Sequence, residues 1–372
     1  MKNKLSLALV ALMSIEVSLF AFTPVFGGED LYTLTSPELL SGSGSAAGGP
    51  VSNIVPASIV LNPALTAQEQ QYTINLSYLA LINASKSSDA DKAFGTGFQI
   101  GAIIPTRYFV YSGSVQGIFA GFDRMDLGNS FNLHLGASKN INDHLDVGLN
   151  LYGGVFTGNS YGTDWDLGAD LGVLYTFDNM GILKSPRLGI AVLNMGKPVL
   201  KYNARNIKGT TDNTSYPGIF TPRVAFASTL LETSNVSLGF STDLMFPTFQ
   251  NIIADLALGM EINKMIGIDL AWEVLDIKEY VNGAKLKWPS LGINAKFTIN
   301  TGAISKLSED WKKSEICPSV AATNLYSGII AVAGGASIQL GQKDTSSPEI
   351  ILWGESQEDV SGESAETSEV SE

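Results

Sequence analysis

A chain of 372 residues with 45% hydrophobic and only 16% charged residues carries too few charges to coat a long water-soluble surface. Its net charge is −13, but residues 343–372 hold nine acids against the single lysine Lys343, so −8 of it lies in a Ser/Glu-rich tail expected to be disordered. No basic stripe is left elsewhere, which argues against nucleic acid as a partner, and the lone Cys317 rules out an intramolecular disulfide.

Lys2 and Lys4 precede the largely apolar run Leu5 to Phe26, in which only Glu16 is charged. With Val25 and Gly27 supplying small residues, the pattern predicts an export signal, residues 1–27, cleaved after Gly27. The alternative is an uncleaved anchor helix; Pro24 and the Gly-Gly pair after the run suit cleavage better. Beyond it no run of about 18 apolar residues occurs, so no transmembrane helix is predicted. Residues 28–70 are rich in Gly, Ser, Ala and Pro and contain no Lys or Arg, which predicts a compact irregular plug.

From residue 71 the sequence alternates. In the first strand Tyr72, Ile74, Leu76, Tyr78, Ala80 and Ile82 share one face and Thr73, Asn75 and Ser77 the other. The clearest segment is Asp164 to Phe177. There Trp165, Leu167, Ala169, Leu171, Val173, Tyr175 and Phe177 oppose Asp164, Asp166, Gly168, Asp170, Gly172 and Thr176, with Leu174 the exception. A helix would scatter these residues around its axis, so period 2 is decisive. The pattern recurs from Val147 to Val155, Val236 to Phe246, Leu256 to Ile262, Ile266 to Val274 and Leu291 to Ile299. Segments of about 10 to 14 residues are long enough to cross a bilayer when tilted, whereas soluble strands average roughly 5 to 6. Aromatic residues such as Tyr72, Phe109, Tyr111, Trp165, Tyr175, Phe177 and Trp272 cluster near segment ends, as in an aromatic girdle.

The links alternate too. One side receives Pro105–Arg107, Asn140–Asp143, Asp178–Pro186, Glu232–Ser234 and Asn263–Lys264. The other receives the longer Lys86–Asp91, Phe122–Asn129, Gly158–Gly162, Gly196–Ile219, Pro247–Asn251 and Leu275–Trp288. Short periplasmic turns and long outer loops are the habit of outer-membrane barrels. Twelve strands are read through Ile299, Ala303 to Glu315 reads as a loop or short helix, and Val320 to Gly341 holds two weaker strands. The expectation is therefore an all-β fold, a transmembrane antiparallel β-barrel of about 14 strands over residues 71–341, with the plug over 28–70 and the acidic tail over 342–372.

The segment Pro56-Ala-Ser-Ile-Val-Leu-Asn-Pro-Ala-Leu65 resembles the long-chain fatty acid transporter (FadL-like) outer-membrane family, in which an N-terminal hatch with an Asn-Pro-Ala motif precedes a fourteen-stranded barrel. Here the motif is Asn62, Pro63 and Ala64, a few residues before the first strand. The stretch Ser41 to Pro50 resembles the hatch, and Leu188 to Pro198 resembles a strand-and-turn motif of related PorV-like barrels. The chain departs from the family in ending on an acidic tail after Trp353 rather than on a terminal aromatic strand. The resemblance implies a bacterial outer-membrane channel that passes a small hydrophobic solute. The PorV-like likeness implies instead a docking or shuttle platform for exported proteins; a structural surface barrel is a third reading.

If the apolar faces meet membrane lipid, the lumen lining receives Asp146, Asp164, Asp166, Asp170, Asp243, Asp255, Glu261, Asp269 and Glu273, with few cations beyond Lys296. Such a lumen is either a hydrated lining or a cation or polar-solute site, and it would repel a fatty acid carboxylate. Lys197, Lys201, Arg205 and Lys208 in one outer link, with Lys278, Lys285 and Lys287 in another, could attract an anionic head group; contact with anionic surface lipid, or simple solubility, is the more ordinary reading and the one favoured. No enzyme is predicted. His134 and His144 lack a metal-ligand cluster, Gly42 to Ala47 matches a dinucleotide fingerprint without the strand and helix it needs, and no cofactor is implied.

Overall fold

The computed structural model describes residues 31–84, 93–120, 129–158, 162–205, 211–216, 220–249, 251–277, 288–299, 314–325 and 329–341. The expected signal peptide and acidic tail lie outside them, as do Lys208, Lys278, Lys285 and Lys287. The strands are β1 (Tyr72–Asn83), β2 (Phe94–Pro105), β3 (Val110–Phe119), β4 (Asn129–Asn142), β5 (Leu145–Gly158), β6 (Gly162–Thr176), β7 (Lys184–Lys197), β8 (Val199–Arg205), β9 (Thr211–Tyr216), β10 (Thr221–Glu232), β11 (Val236–Met245), β12 (Ile253–Ile262), β13 (Ile266–Asp276), β14 (Ser290–Ala295), β15 (Phe297–Ile299), β16 (Ser314–Asn324) and β17 (Ile329–Leu340).

Every barrel pairing is antiparallel, and β1 pairs with β17 while β14 and β15 both pair with β16, so the sheet closes on itself. β14 and β15 are two pieces of one path, which makes a closed barrel of fourteen strands. Closure removes sheet edges and satisfies the backbone internally, as a bilayer demands. No helix among the described residues is long and apolar enough to cross a membrane.

Two elements differ from the sequence reading. The predicted link Gly196–Ile219 contains the hairpin β8–β9, a separate two-stranded sheet beyond the barrel wall. And β16 begins at Ser314, inside the last residues of the stretch read as a loop or helix, and carries Pro318 within it. Proline has no N–H to donate and is normally confined to sheet edges. The structure accommodates it by breaking the neighbouring ladder: β14 follows β16 to Ser319 and β15 resumes at Ile316, leaving the gap at Lys296.

Alternation decides which side meets lipid. In β1 the apolar set from Tyr72 to Ile82 faces outward, while Thr73, Asn75 and Ser77 are buried inside. The same inversion of a soluble barrel holds for Phe131, Leu133 and Leu135 of β4 and for Trp165, Leu167, Leu171, Val173 and Tyr175 of β6, all uncovered by protein. The register yields a depth-dependent expectation. Leu135→Arg, in the middle of β4, should destabilise the protein in bilayers by about 2–4 kcal/mol, and Phe131→Arg, near the strand end, by about 0–1 kcal/mol. Denaturant titration in vesicles measures both; equal costs would contradict the assigned faces.

Residues 31–70 fold inside the barrel. Short helices α1 (Leu31–Leu34) and α2 (Pro37–Leu40) are followed by 3-10 helices over Pro56–Val60 and Pro63–Gln68. α2 packs on β14, β16 and β17, the first 3-10 helix on β1 to β4, and the second on β3 to β6. This segment, the hatch below, joins β1 at the end of the barrel carrying the short turns 106–109, 143–144, 233–235 and 263–265. That is the near end; the opposite end carries the β8–β9 hairpin.

Candidate functional site: the lumen and its hatch

The hatch reaches the wall through glycines. A Cβ at inward-facing Gly136, Gly148, Gly172, Gly189, Gly239 or Gly292 would collide with Ile59, Pro63, Asn62, Ala46, Pro50 or Ser41 respectively. Six strands therefore lack a side chain where the hatch passes closest, and at Gly148, Gly189 and Gly239 what passes is hatch backbone. The motif expected to mark the hatch lies on this belt. Asn62 is fully buried and caps the 3-10 helix that Pro63 begins, its Oδ1 accepting from the Ala64 N–H at 3.0 Å. Its Nδ2 donates to the Ala46 carbonyl at 2.7 Å and to the Val173 carbonyl of β6 at 3.0 Å. One side chain thus ties two parts of the hatch to each other and to the barrel. The exceptional Leu174 is also explained, since it points inward and is buried with the hatch.

The lumenal acids are not a bare lining. Asp243 is paired with Arg223 of β10 (Nη2 to Oδ2 2.8 Å) and accepts the Ala46 N–H of the hatch at 2.9 Å; both side chains are buried. Arg187 of β7 is also inward and buried, its Nη2 donating to the Gly49 carbonyl at 2.7 Å. The expectation of few lumenal cations beyond Lys296 is corrected by these two arginines. Lys296 pairs with Glu261 at 3.0 Å, and Asp146 accepts from Asn140 at 2.8 Å and from Gln68 at 3.3 Å. Asp164 takes Lys197 at 3.1 Å, and the same ammonium lies 4.0 Å from the Trp165 ring centroid. Lys197, read as a surface-lipid or solubility residue of the outer link, is thereby engaged within the wall.

Asp166 accepts the Tyr32 hydroxyl of α1. Asp170 accepts from Asn150 at 2.6 Å and from the Asn194 backbone N–H at 2.7 Å. The second bond has a local cause: β7 carries one extra residue here, Asn194 adopts φ 61, and the carboxylate takes up the N–H that the bulge frees. Asp243, Asp255 and Glu273 stand directly opposite one another on β11, β12 and β13. Asp269 stands apart, beside Glu38 of α2 where the hatch meets β13 and β14. The predicted lining residues are therefore scattered around the wall and along its length rather than gathered into one site.

Register across β1 to β6 arranges the remaining inward side chains in rungs. One rung reads Ser77, Gln99, Gln116, Asn132, Gly154 and Asp166, each opposite the next. The rung one step toward the far end reads Leu79, Gly97, Ile118, Ser130, Phe156 and Asp164. Leu79, Ile118 and Phe156 share one cluster of buried apolar side chains with Leu34, Leu39 and Leu40 of the hatch and with Leu81, Leu325 and Ile329 of the wall. At the near end a cavity of ≈ 730 Å³ separates hatch residues Asn53 and Glu69 from Arg187, Lys296, Glu315 and Gln339 of the wall.

No family model and no curated protein matches this chain. Solved structures do. The chain is similar to the Ralstonia pickettii toluene transporter TbuX (10% identity, 82% of this chain and 97% of that one, TM-score 0.49). It is similar also to the Pseudomonas putida toluene transporter TodX (10% identity, 86% and 98%, TM-score 0.45). A third likeness is to the CymD monoaromatic hydrocarbon channel (12% identity, 86% and 100%, TM-score 0.46).

Proposed function

We propose that this protein is a hatch-gated channel of the bacterial outer membrane that passes a small hydrophobic solute, taken up at the far end and released past the hatch at the near, periplasmic end. The observation that carries this reading is the apolar patch on the inner wall. Leu79, Leu81, Ile118, Phe156 and Ile329 point away from lipid into the barrel, where a water-filled pore would present polar groups. The patch is already buried in one cluster with Leu34 and Leu39 of the hatch, so a hydrocarbon gains it, at roughly 25 cal/mol per Å² removed from water, by taking the place of those hatch side chains. Pairing of the acids with Arg223, Lys296 and Lys197 lowers the electrostatic barrier that the carboxylates alone would raise. The hatch closes the near end, so release requires it to yield.

The test is uptake into liposomes of a radiolabelled alkane by the reconstituted protein. Uptake faster than in empty liposomes supports the reading, and uptake no faster overturns it. A docking role for exported proteins would rest on the acidic tail and the basic links; the apolar inner wall favours the channel, which is the reading we adopt.

A further inference from the structure

The amide rung is a row of buried hydrogen-bonding groups that the protein leaves incompletely used. Both amide atoms of Asn132 and of nearby Asn75, the amide nitrogens of Gln99 and Gln116, and Nε2 of His134 have no hydrogen-bond partner among the described residues. Each of these residues is at most 2% exposed. Folded proteins satisfy the great majority of such groups, because each one left dry keeps the full cost of its desolvation. What covers the rung here is the start of the hatch, and it does so with hydroxyls. Thr35 donates through Oγ1 to Gln116 Oε1 at 2.7 Å and to Gln99 Oε1 at 3.3 Å. Tyr32 donates its hydroxyl to Asp166 and sets its ring edge-on to His134, centroids 4.7 Å apart.

We infer that the rung and the apolar rung beside it form one binding site for an uncharged amphiphile, a hydrocarbon bearing a single hydroxyl head, which competes with Tyr32 and Thr35 for the wall. The inference rests on the channel reading above and names its substrate class. The hydrocarbon would lie along Leu79, Ile118 and Phe156, and the hydroxyl would meet the Gln99, Gln116 and Asn132 amides one step deeper. A plain alkane leaves those amides dry. A carboxylate brings a further negative charge beside Asp166 and Asp164, where the one ammonium at hand, that of Lys197, is already paired with Asp164. A hydroxyl both donates and accepts, so it replaces the Thr35 bond and adds partners that Thr35 leaves out. Its binding also removes the contacts that hold α1 against the wall, which couples occupancy to release of the hatch.

The experiment compares octane, 1-octanol and octanoate for binding by calorimetry to the full chain in nanodiscs, alongside alkane uptake in liposomes. Octanol should bind at least tenfold more tightly than either of the others, and Gln99→Leu with Gln116→Leu should bring octanol and octane within twofold. Should that variant fail to fold, Tyr32→Phe with Thr35→Val leaves the wall intact and removes the competing hydroxyls. Octanol affinity should then rise on the order of tenfold, since no hatch hydroxyl competes for the wall. Octanol binding no tighter than octane, a preference that survives the glutamine changes, or an affinity unmoved by the hatch variant overturns the inference while alkane uptake leaves the channel standing. Absence of both binding and uptake overturns the two together.

Discussion

The Gly148→Val variant should leak. Reconstituted in planar bilayers, it should show a standing ion conductance where the parent protein is closed, with an open population ten- to a hundredfold higher. The cause is steric and local. A Cβ at residue 148 would fall 2.5 Å from the Ala64 nitrogen and closer still to the Pro63 carbonyl carbon, both backbone atoms of the hatch that cannot rotate aside. Overpacking of this kind costs about 1–3 kcal/mol and sometimes more, and each 1.4 kcal/mol is a factor of ten in population. The wall itself loses nothing, since β5 keeps its pairings with β4 and β6 whatever the side chain. The cost therefore falls on hatch docking rather than on the barrel. Unchanged conductance, with the barrel folded, would mean that the hatch does not close the lumen.

Arg223→Ala should be the most destabilising single change at a lumenal charge. The guanidinium donates through Nε to both oxygens of Asp243, at 3.0 and 2.9 Å, and through Nη2 to Oδ2 at 2.8 Å. Removing it leaves a buried carboxylate held by the Ala46 N–H, and breaking a buried pair from one side costs about 3–5 kcal/mol. Replacing both partners, Arg223→Met with Asp243→Leu, should cost much less, because no charge is then stranded. Guanidinium unfolding in lipid vesicles measures the two. Equal losses, or a loss below about 1 kcal/mol for Arg223→Ala, would show that the pair is not buried in the folded protein.

The lipid-facing half of this molecule was legible because lipid imposes one demand on every strand. Alternate residues from Trp165 to Tyr175 must be apolar, and that constraint is local, strict and repeated. The inner face answers to several demands at once, and there the reading thinned. In β1 the inward set changes from Asn75 and Ser77 to Leu79 and Leu81, so both faces become apolar and the period vanishes just where the apolar patch begins. Arg223 and Asp243 lie on different strands, and their pairing depends on a register that no local pattern encodes. The bulge at Asn194 is a single extra residue in an otherwise regular run. For the hatch, the position of Asn62-Pro63-Ala64 ahead of the first strand was readable. Its double tie to Ala46 and Val173 was not, because it exists only once Gly172 leaves room for it.

Movement of the hatch is the central claim, and a reversible lock tests it most directly. Thr66 of the hatch and Ser138 of β4 are both buried with their hydroxyl oxygens 2.8 Å apart, so Thr66→Cys with Ser138→Cys places two thiols within bonding reach. Cys317→Ser removes the one native thiol. Alkane uptake should fall to that of empty liposomes when the disulfide forms and return when it is reduced. Uptake that continues undiminished with the cross-link complete would contradict a channel that opens by moving its hatch.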